Sequence, residues 1–101
     1  MQMDSVLMDG WFSLTLVQQM INIGNEVKRA VRFDENAEKK HAFLVKAIQY
    51  TDLTMQDPKN QGVLPELDIT RKVLLDYDGE EHKLDYSKEQ LRDYYMNYTL
   101  R

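Results

Sequence analysis

Two residues near the middle of the chain have the spacing of a metal-binding pair. Glu38 and His41 form a Glu-x-x-His step, which di-iron bundles carry on two of their helices so that both side chains point inward. The complete site also needs a glutamate from each of two other helices, and here the step occurs once. An acidic residue in the first turn of a helix is favoured by the helix dipole. We therefore interpret Glu38 as a surface residue beside a partly buried histidine, and we predict no metal site and no cofactor.

Nucleophilic catalysis has little support in the sequence. The chain has no cysteine, and Ser5, Ser13 and Ser87 have neither a neighbouring histidine nor the glycine-rich turn that exposes a nucleophilic serine. The glycines make no phosphate-binding pattern with a lysine. The sequence thus indicates no catalytic residues for acyl transfer and no nucleotide loop.

Arg71 is the polar residue in the most unusual position. It falls between Leu67 and Leu74, on what should be the buried side of a helix, where a guanidinium needs partners. Glu26 and Asp52 border the apolar stripes of two other helices, and either carboxylate suits the planar fork of the guanidinium. Two interpretations remain open: a ligand-binding or catalytic pocket of these three residues, or an interhelical ion pair that fixes register. We favour the ion pair.

The last part of the chain is rich in tyrosine. Tyr94, Tyr95 and Tyr98 lie in the segment YYMNYTLR, and tyrosine and methionine are both enriched in the cores of protein interfaces. The same side chains could instead pack inward, because one face of a helix accommodates about two of the three. The tyrosines are therefore a candidate interface and, equally, a candidate part of the core.

Hydrophobic periodicity predicts four helices that would position these residues. Apolar residues recur at steps of three and four, which places helices at about residues 13–33, 37–56, 64–77 and 87–99. Ser13 is the predicted N-cap of the first helix, and Asn36 or Asp34 that of the second. Gly24 lies within the apolar stripe of the first helix, where glycine costs about 1 kcal/mol, so we expect another helix to pass close by.

The connections carry recognisable stop and start signals. Asp57 precedes Pro58, which cannot continue a helical hydrogen-bond ladder, and Pro65 suits a first helical turn. Ser87 and Gln90 have the spacing of a capping box. The acidic segment before them, DYDGEEHKLDY, predicts an irregular solvated loop. Of the two aspartates near the Pro58 turn, we expect Asp52 to matter more than Asp57, because Asp52 can reach Arg71.

Size and composition bound the function class. The chain has 101 residues, 43% of them hydrophobic and 30% charged, with a net charge of −4, which favours a single folded domain. The acidic balance argues against nucleic-acid binding, which requires a basic face. No apolar run reaches the roughly 18 residues of a membrane helix, and the first residues lack the pattern of a signal peptide. With short connections, four helices predict an antiparallel four-helix bundle in the cytoplasm.

Three segments resemble a family of small bacterial all-helical proteins of about this length. They are NIGNEVKRA at residues 22–30, DLTMQDPKNQG at residues 52–62 and LPELDITRKVLLDY at residues 64–77, and a tyrosine-rich helix follows them. The residues that match the family pattern include Glu26, Arg29, Asp52, Asp57, Arg71 and Asp76. Pro65 and the segment after Tyr77 depart from it. The resemblance covers most of the chain after the first dozen residues and implies a helical fold and a bacterial source, with no established activity.

Two functions follow as hypotheses. The first is a non-enzymatic module that self-associates or binds another protein through the aromatic helix and the acidic loop. The second is a small enzyme or ligand-binding protein that uses a pocket of Glu26, Asp52 and Arg71. The two differ in whether these three side chains face a cavity open to solvent or are sealed by apolar neighbours.

Overall fold

The computed structural model describes residues 5–79 and 82–99, and this part of the chain is helical without any strand. Its helices are α1 (Ser5–Phe12), α2 (Leu16–Arg32), α3 (Ala37–Gln56), a 3₁₀ helix (Pro58–Val63), α4 (Leu64–Asp78) and α5 (Lys88–Thr99). The prediction of an all-helical protein is confirmed. Among the described helices, none combines the length and the apolar character that crossing a membrane would require.

The first predicted helix, at about residues 13–33, corresponds to α2 alone, and the sequence did not predict α1 before it. The hydroxyl of Ser13 donates to the carbonyl oxygen of Gly10 at 2.7 Å, so Ser13 closes α1 and does not cap α2. Thr15 is the N-cap of α2: its hydroxyl accepts from the amide of Gln18 at 3.1 Å, and its own amide donates to the Gln18 side chain at 2.9 Å. The prediction of Ser13 as N-cap was therefore wrong. The capping box that starts α2 is present in the sequence as Thr-x-x-Gln.

The other predicted helix ends agree with the structure. Asn36 caps α3 by accepting from the amide of Lys39 at 3.1 Å. The capping box before α5 is complete, because Ser87 accepts from the Gln90 amide at 3.0 Å and its amide donates to the Gln90 side chain at 2.8 Å. The Asp57–Pro58 step ends α3, but the chain continues directly into the 3₁₀ helix and does not form an open loop.

Helix α2 is at the centre of the packing. It packs against α3 on one side and α5 on the other, and α3 packs in turn against α4. Helices α4 and α5 face each other across the remaining side, where their backbones approach less closely. The buried apolar residues of these four helices form the core: Met20, Ile23, Val27, Ala30, Leu44, Ala47, Leu53, Leu67, Leu74, Tyr77, Leu91, Tyr95 and Tyr98.

Gly24 lies at the contact between α2 and α5, as the sequence predicted for a close helix approach. A Cβ atom at this position would lie 2.7 Å from the Cβ of Tyr95 and 3.3 Å from its Cγ. The Cβ of Tyr95 is attached to the α5 backbone, so no side-chain rotation can relieve this clash. The absence of a side chain at Gly24 therefore sets the distance between the two helices.

We expect Gly24→Ala to destabilise the protein by about 1 to 3 kcal/mol, because the overpacking strain exceeds the roughly 1 kcal/mol that alanine gains in helix propensity. The matched control is Gly10→Ala, also inside a helix, where no atom lies within 4 Å of the added Cβ. The control should stabilise the protein slightly. Urea unfolding of both variants checks this, and an increase in stability for Gly24→Ala would contradict it.

Candidate functional site

The three residues of the predicted polar cluster lie in two separate groups. The Nε atom of Arg71 donates to Oδ1 of Asp52 at 2.6 Å, which joins α4 to α3. Glu26 instead accepts from Nη1 of Arg29, one turn later in α2, at 2.7 Å. The structure thus contains an interhelical ion pair of Asp52 and Arg71, and it does not bring Glu26 into the same pocket.

The Asp52–Arg71 pair is also less buried than the sequence suggested. The side chains are 41% and 35% exposed, respectively. A long arginine side chain buries its aliphatic part and keeps the charged end near water, which explains how Arg71 occupies a helix face between two leucines. An ion pair with this exposure is largely screened by solvent.

The tyrosines of the candidate interface contribute mostly to the core. Tyr95 and Tyr98 are buried, so of the two alternatives left open by the sequence, inward packing describes these two residues. Tyr94 is half-buried, and its hydroxyl donates to Oε1 of Glu66 at 3.1 Å. Only Tyr94 therefore remains available to a partner.

Asp57, which the sequence analysis ranked below Asp52, is buried and has several partners. Its Oδ2 accepts from Nε2 of Gln19 at 2.8 Å and from the ammonium of Lys59, and its Oδ1 accepts from the Lys59 amide at 3.1 Å. Burial alone would raise the pKa of this carboxyl. The hydrogen bonds from Lys59 and Gln19 outweigh burial and hold the pKa of Asp57 below its ordinary value.

Gln19 extends these contacts into a buried network, which we call the Asp57 network. Gln19 also donates to the carbonyl oxygen of Trp11 at 2.9 Å, and its Oε1 accepts from the side-chain Nδ2 of Asn60 at 2.8 Å. Asn60 donates to the Thr54 carbonyl oxygen at 3.0 Å, and the Trp11 indole donates to the Thr54 hydroxyl at 3.0 Å. The network joins α1, α2, α3 and the 3₁₀ helix. These buried polar groups take their hydrogen-bond partners from other protein groups, which links the four elements.

An open cleft lies beside this network, between α1, α2 and α3. Its volume is about 540 Å³, in the range of small-molecule sites, and it is lined by Gly10, Trp11, Leu14, Asn22, Asn25, Glu26, Arg29 and Tyr50. Trp11 and Tyr50 stack with their ring centroids 4.7 Å apart. Within the described part of the chain, Oε2 of Glu26 is buried and has no hydrogen-bond partner.

A second surface feature lies between α4 and α5, and we call it the apolar groove. Its volume is about 200 Å³, and it is lined by Ile69, Thr70, Val73, Tyr86, Gln90, Leu91, Tyr94 and Tyr95. Ile69 is 62% exposed at its edge, the largest exposure among the described large hydrophobic side chains that lie at the surface. The groove is therefore a region where apolar side chains remain in contact with water.

His41, from the Glu-x-x-His step, is bound by a different carboxylate. Its Nδ1 lies 2.9 Å from both oxygens of Asp78, at the end of α4, while Glu38 is exposed. Across residues 5–79 and 82–99, the structure has no group of three or more acidic, histidine or cysteine side chains positioned to hold a metal ion. The histidine thus serves as a link between α3 and α4.

No protein-family model, curated protein or solved structure matches the chain. Function must therefore be inferred from the side chains themselves. The cleft combines polar groups with an aromatic wall, whereas the apolar groove offers hydrophobic contact. The residues of the cleft other than Glu26 were missed in the sequence, where Asn22 and Asn25 have the spacing of neighbours on one helix face.

We expect the stability of the protein to depend on pH through Asp57. Since the pKa of this carboxyl is lowered in the folded state, its ionisation stabilises the fold at neutral pH. This contribution is lost as the pH falls from about 5 through the unfolded-state pKa of about 4 and past the folded-state pKa. The free energy of unfolding of Asp57→Asn should fall less than that of the wild type between about pH 6 and pH 3. If urea unfolding shows that the free energy of unfolding of both proteins falls by the same amount over this range, Asp57 is not the source of the pH dependence.

The Asp52–Arg71 pair should contribute little by comparison. A double-mutant cycle of Asp52→Ala and Arg71→Ala, measured by urea unfolding, should give a coupling energy of about 1 kcal/mol or less, because both side chains are partly solvated. Asp57→Ala should cost about 2 to 4 kcal/mol, since it leaves buried donors without an acceptor. If Asp52→Ala lowers the free energy of unfolding more than Asp57→Ala does, this prediction is contradicted.

Proposed function

We propose that the chain is a non-enzymatic protein-interaction module whose interface is the apolar groove. Its scaffold in this proposal is an antiparallel four-helix bundle of α2 to α5. The observation that carries the proposal is the exposed Ile69 side chain beside an apolar depression of about 200 Å³. Exposed apolar patches with polar surroundings are typical of protein-binding surfaces.

The walls of the groove are held in place by polar contacts at its edges. The hydroxyl of Tyr94 donates to Glu66 at 3.1 Å and lies 3.4 Å from the hydroxyl of Tyr98. The hydroxyl of Tyr86 donates to the carbonyl oxygen of Val73 at 3.5 Å. These contacts limit rotation of the two outer rings, so the groove is largely preformed and a partner would lose little entropy in ordering it.

A partner side chain that enters the groove would be stabilised mainly by removal of apolar surface from water, at about 25 cal/mol per Å². The charges beside the groove are of both signs. Glu66, Asp68 and Glu89 lie in α4 or α5, but so do Lys72, Lys88 and Arg92, and Lys72 is paired with Asp68 at 2.9 Å. The partner in this proposal is therefore defined by its aliphatic or aromatic side chains.

The alternative of a small enzyme with a pocket of Glu26, Asp52 and Arg71 has weaker support. Asp52 and Arg71 neutralise each other at 2.6 Å, and Glu26 belongs to the separate cleft, so these residues do not form a set of reacting groups.

A cytoplasmic location in a bacterial cell is part of the proposal of an interaction module. It is supported by the cysteine-free sequence and by the resemblance described above.

Introduction of a charge at the groove provides the test, with a control on the same helix. Ile69→Lys places an ammonium group at the groove, while Leu75→Lys makes the same chemical change at a position that is 44% exposed and does not line it. Neither change should lower stability appreciably, because both side chains are already exposed.

Self-association of the purified chain, measured by sedimentation velocity, and co-purification of a cross-linked partner from the source cell are the readouts. We expect the wild type and Leu75→Lys to self-associate or to be cross-linked to a partner. Ile69→Lys should do neither. Equal association by both lysine variants would exclude the groove as the interface. A monomeric wild type without any cross-linked partner would remove the proposal itself.

A further inference from the structure

The cleft between α1, α2 and α3 has residues that suit a different kind of ligand from the partner of the apolar groove. We propose that it binds a small molecule that carries a primary ammonium group on an aromatic or aliphatic body. This site does not share a residue with the apolar groove, so the failure of one proposal would not affect the other.

The carboxylate of Glu26 is the group that requires a ligand. Glu26 is only 6% exposed, and one oxygen, Oε1, accepts from Arg29 at 2.7 Å. Its other oxygen, Oε2, is buried without a hydrogen-bond partner among the residues that the structure describes. Nearly all buried polar atoms in folded proteins have a partner, and an unpartnered oxygen of a carboxylate is costly. A donor from a ligand would remove this cost.

The residues around Glu26 fit three donors of one ammonium group. Asn22 and Asn25 precede Glu26 by four positions and one position, and all three line the cleft. In the proposal, their two side-chain amide oxygens join Oε2 of Glu26 as the three acceptors. A primary ammonium has three N–H donors and no acceptor, so it can bond to all of them. A neutral hydroxyl has one donor and cannot.

The aromatic part of the cleft lining suits the body of such a molecule. Trp11 and Tyr50 stack at a centroid distance of 4.7 Å, and the Trp11 indole is fixed by its hydrogen bond to Thr54. The rings offer apolar surface, and aromatic rings also attract cations. The aromatic wall is therefore rigid before a ligand arrives.

Arg29 explains how the buried oxygen becomes accessible. Its side chain is 50% exposed, and the one polar contact that the structure gives it is with Oε1 of Glu26. Rotation of this flexible side chain into solvent opens the way to the carboxylate. The ammonium of the ligand then bonds to Oε2 and supplies the positive charge that the guanidinium provided while it was paired with Oε1.

Titration with a matched pair of probes tests the proposal on the intact chain. Phenethylamine and phenethyl alcohol have similar shape, but only the first is a cation. By heteronuclear NMR, phenethylamine should shift the amide signals of residues 22–29 and the Trp11 indole signal, with an affinity at least about tenfold higher than the alcohol. No binding of the amine, or equal binding of the alcohol, would overturn the proposal.

Variants then identify the groups responsible. Glu26→Gln should weaken amine binding by about tenfold or more, since the charge-assisted hydrogen bond is lost, whereas Glu38→Gln, at an exposed position of α3, should bind like the wild type. Arg29→Gln should bind the amine more tightly, because the competing guanidinium is removed. Unchanged affinity in Glu26→Gln would contradict the site, as would weaker binding in a folded Arg29→Gln variant.

A final comparison distinguishes a free amine from the amino terminus of a peptide. The peptide Phe-Gly-amide carries the same ammonium and aromatic groups, and its N-acetylated form lacks the ammonium. Binding of phenethylamine but of neither peptide would support the proposed small-molecule ligand. Binding of the free peptide more tightly than phenethylamine would overturn the assignment to a small molecule and identify peptide termini as the ligand.

Discussion

The buried carboxylate of Asp57 is the constraint on which the packing of α1, the start of α2 and the end of α3 depends. A charge removed from water must be met by donors, and here they come from Gln19 and from the ammonium and amide of Lys59. Gln19 is thereby held at the start of α2, where it also fixes the carbonyl oxygen of Trp11. The position of Trp11, and with it one wall of the cleft, follows from the hydrogen bonds that Asp57 requires.

The opposite end of α2 is organised by a second aspartate. Asp34 accepts from the Tyr77 hydroxyl at 2.6 Å and lies 3.3 Å from the ammonium of Lys88, so it joins the turn after α2 to α4 and α5. The Tyr77 hydrogen bond and the nearby lysines hold the pKa of Asp34 below its ordinary value despite its partial burial. Between the two aspartates, the close contact of Gly24 with Tyr95 holds α5 against α2. Helix α5 lies less close to α4, and the groove is between those two helices.

Local signals in the sequence were sufficient for α2 to α5, but not for α1, the 3₁₀ helix or the tertiary partners of the side chains. The apolar periodicity, the Asp57–Pro58 step and the Ser87–Gln90 box depend on neighbours within a few residues, and the structure agrees with them. Gly24 also predicted a close helix contact, because a glycine within the apolar stripe of a helix is unfavourable unless a neighbouring helix needs the space. The burial of Asp57 could not be deduced in this way, since its partner Gln19 lies 38 positions earlier. Glu26 was grouped with Arg71 for a related reason: sequence shows which side chains border a core but not which helix they face.

The contact between α2 and α5 also has a consequence for the order of folding. Gly24 and Tyr95 are close in space but far apart in sequence, and contacts of that kind close a long loop and form late. Helix α5 leaves the ribosome after the other described helices, so until then the apolar face of α2 at Gly24 lacks the α5 side chains that pack against it. A chain whose synthesis stops before Tyr95 would expose this apolar face, which makes the unfinished protein a substrate for chaperones and proteases.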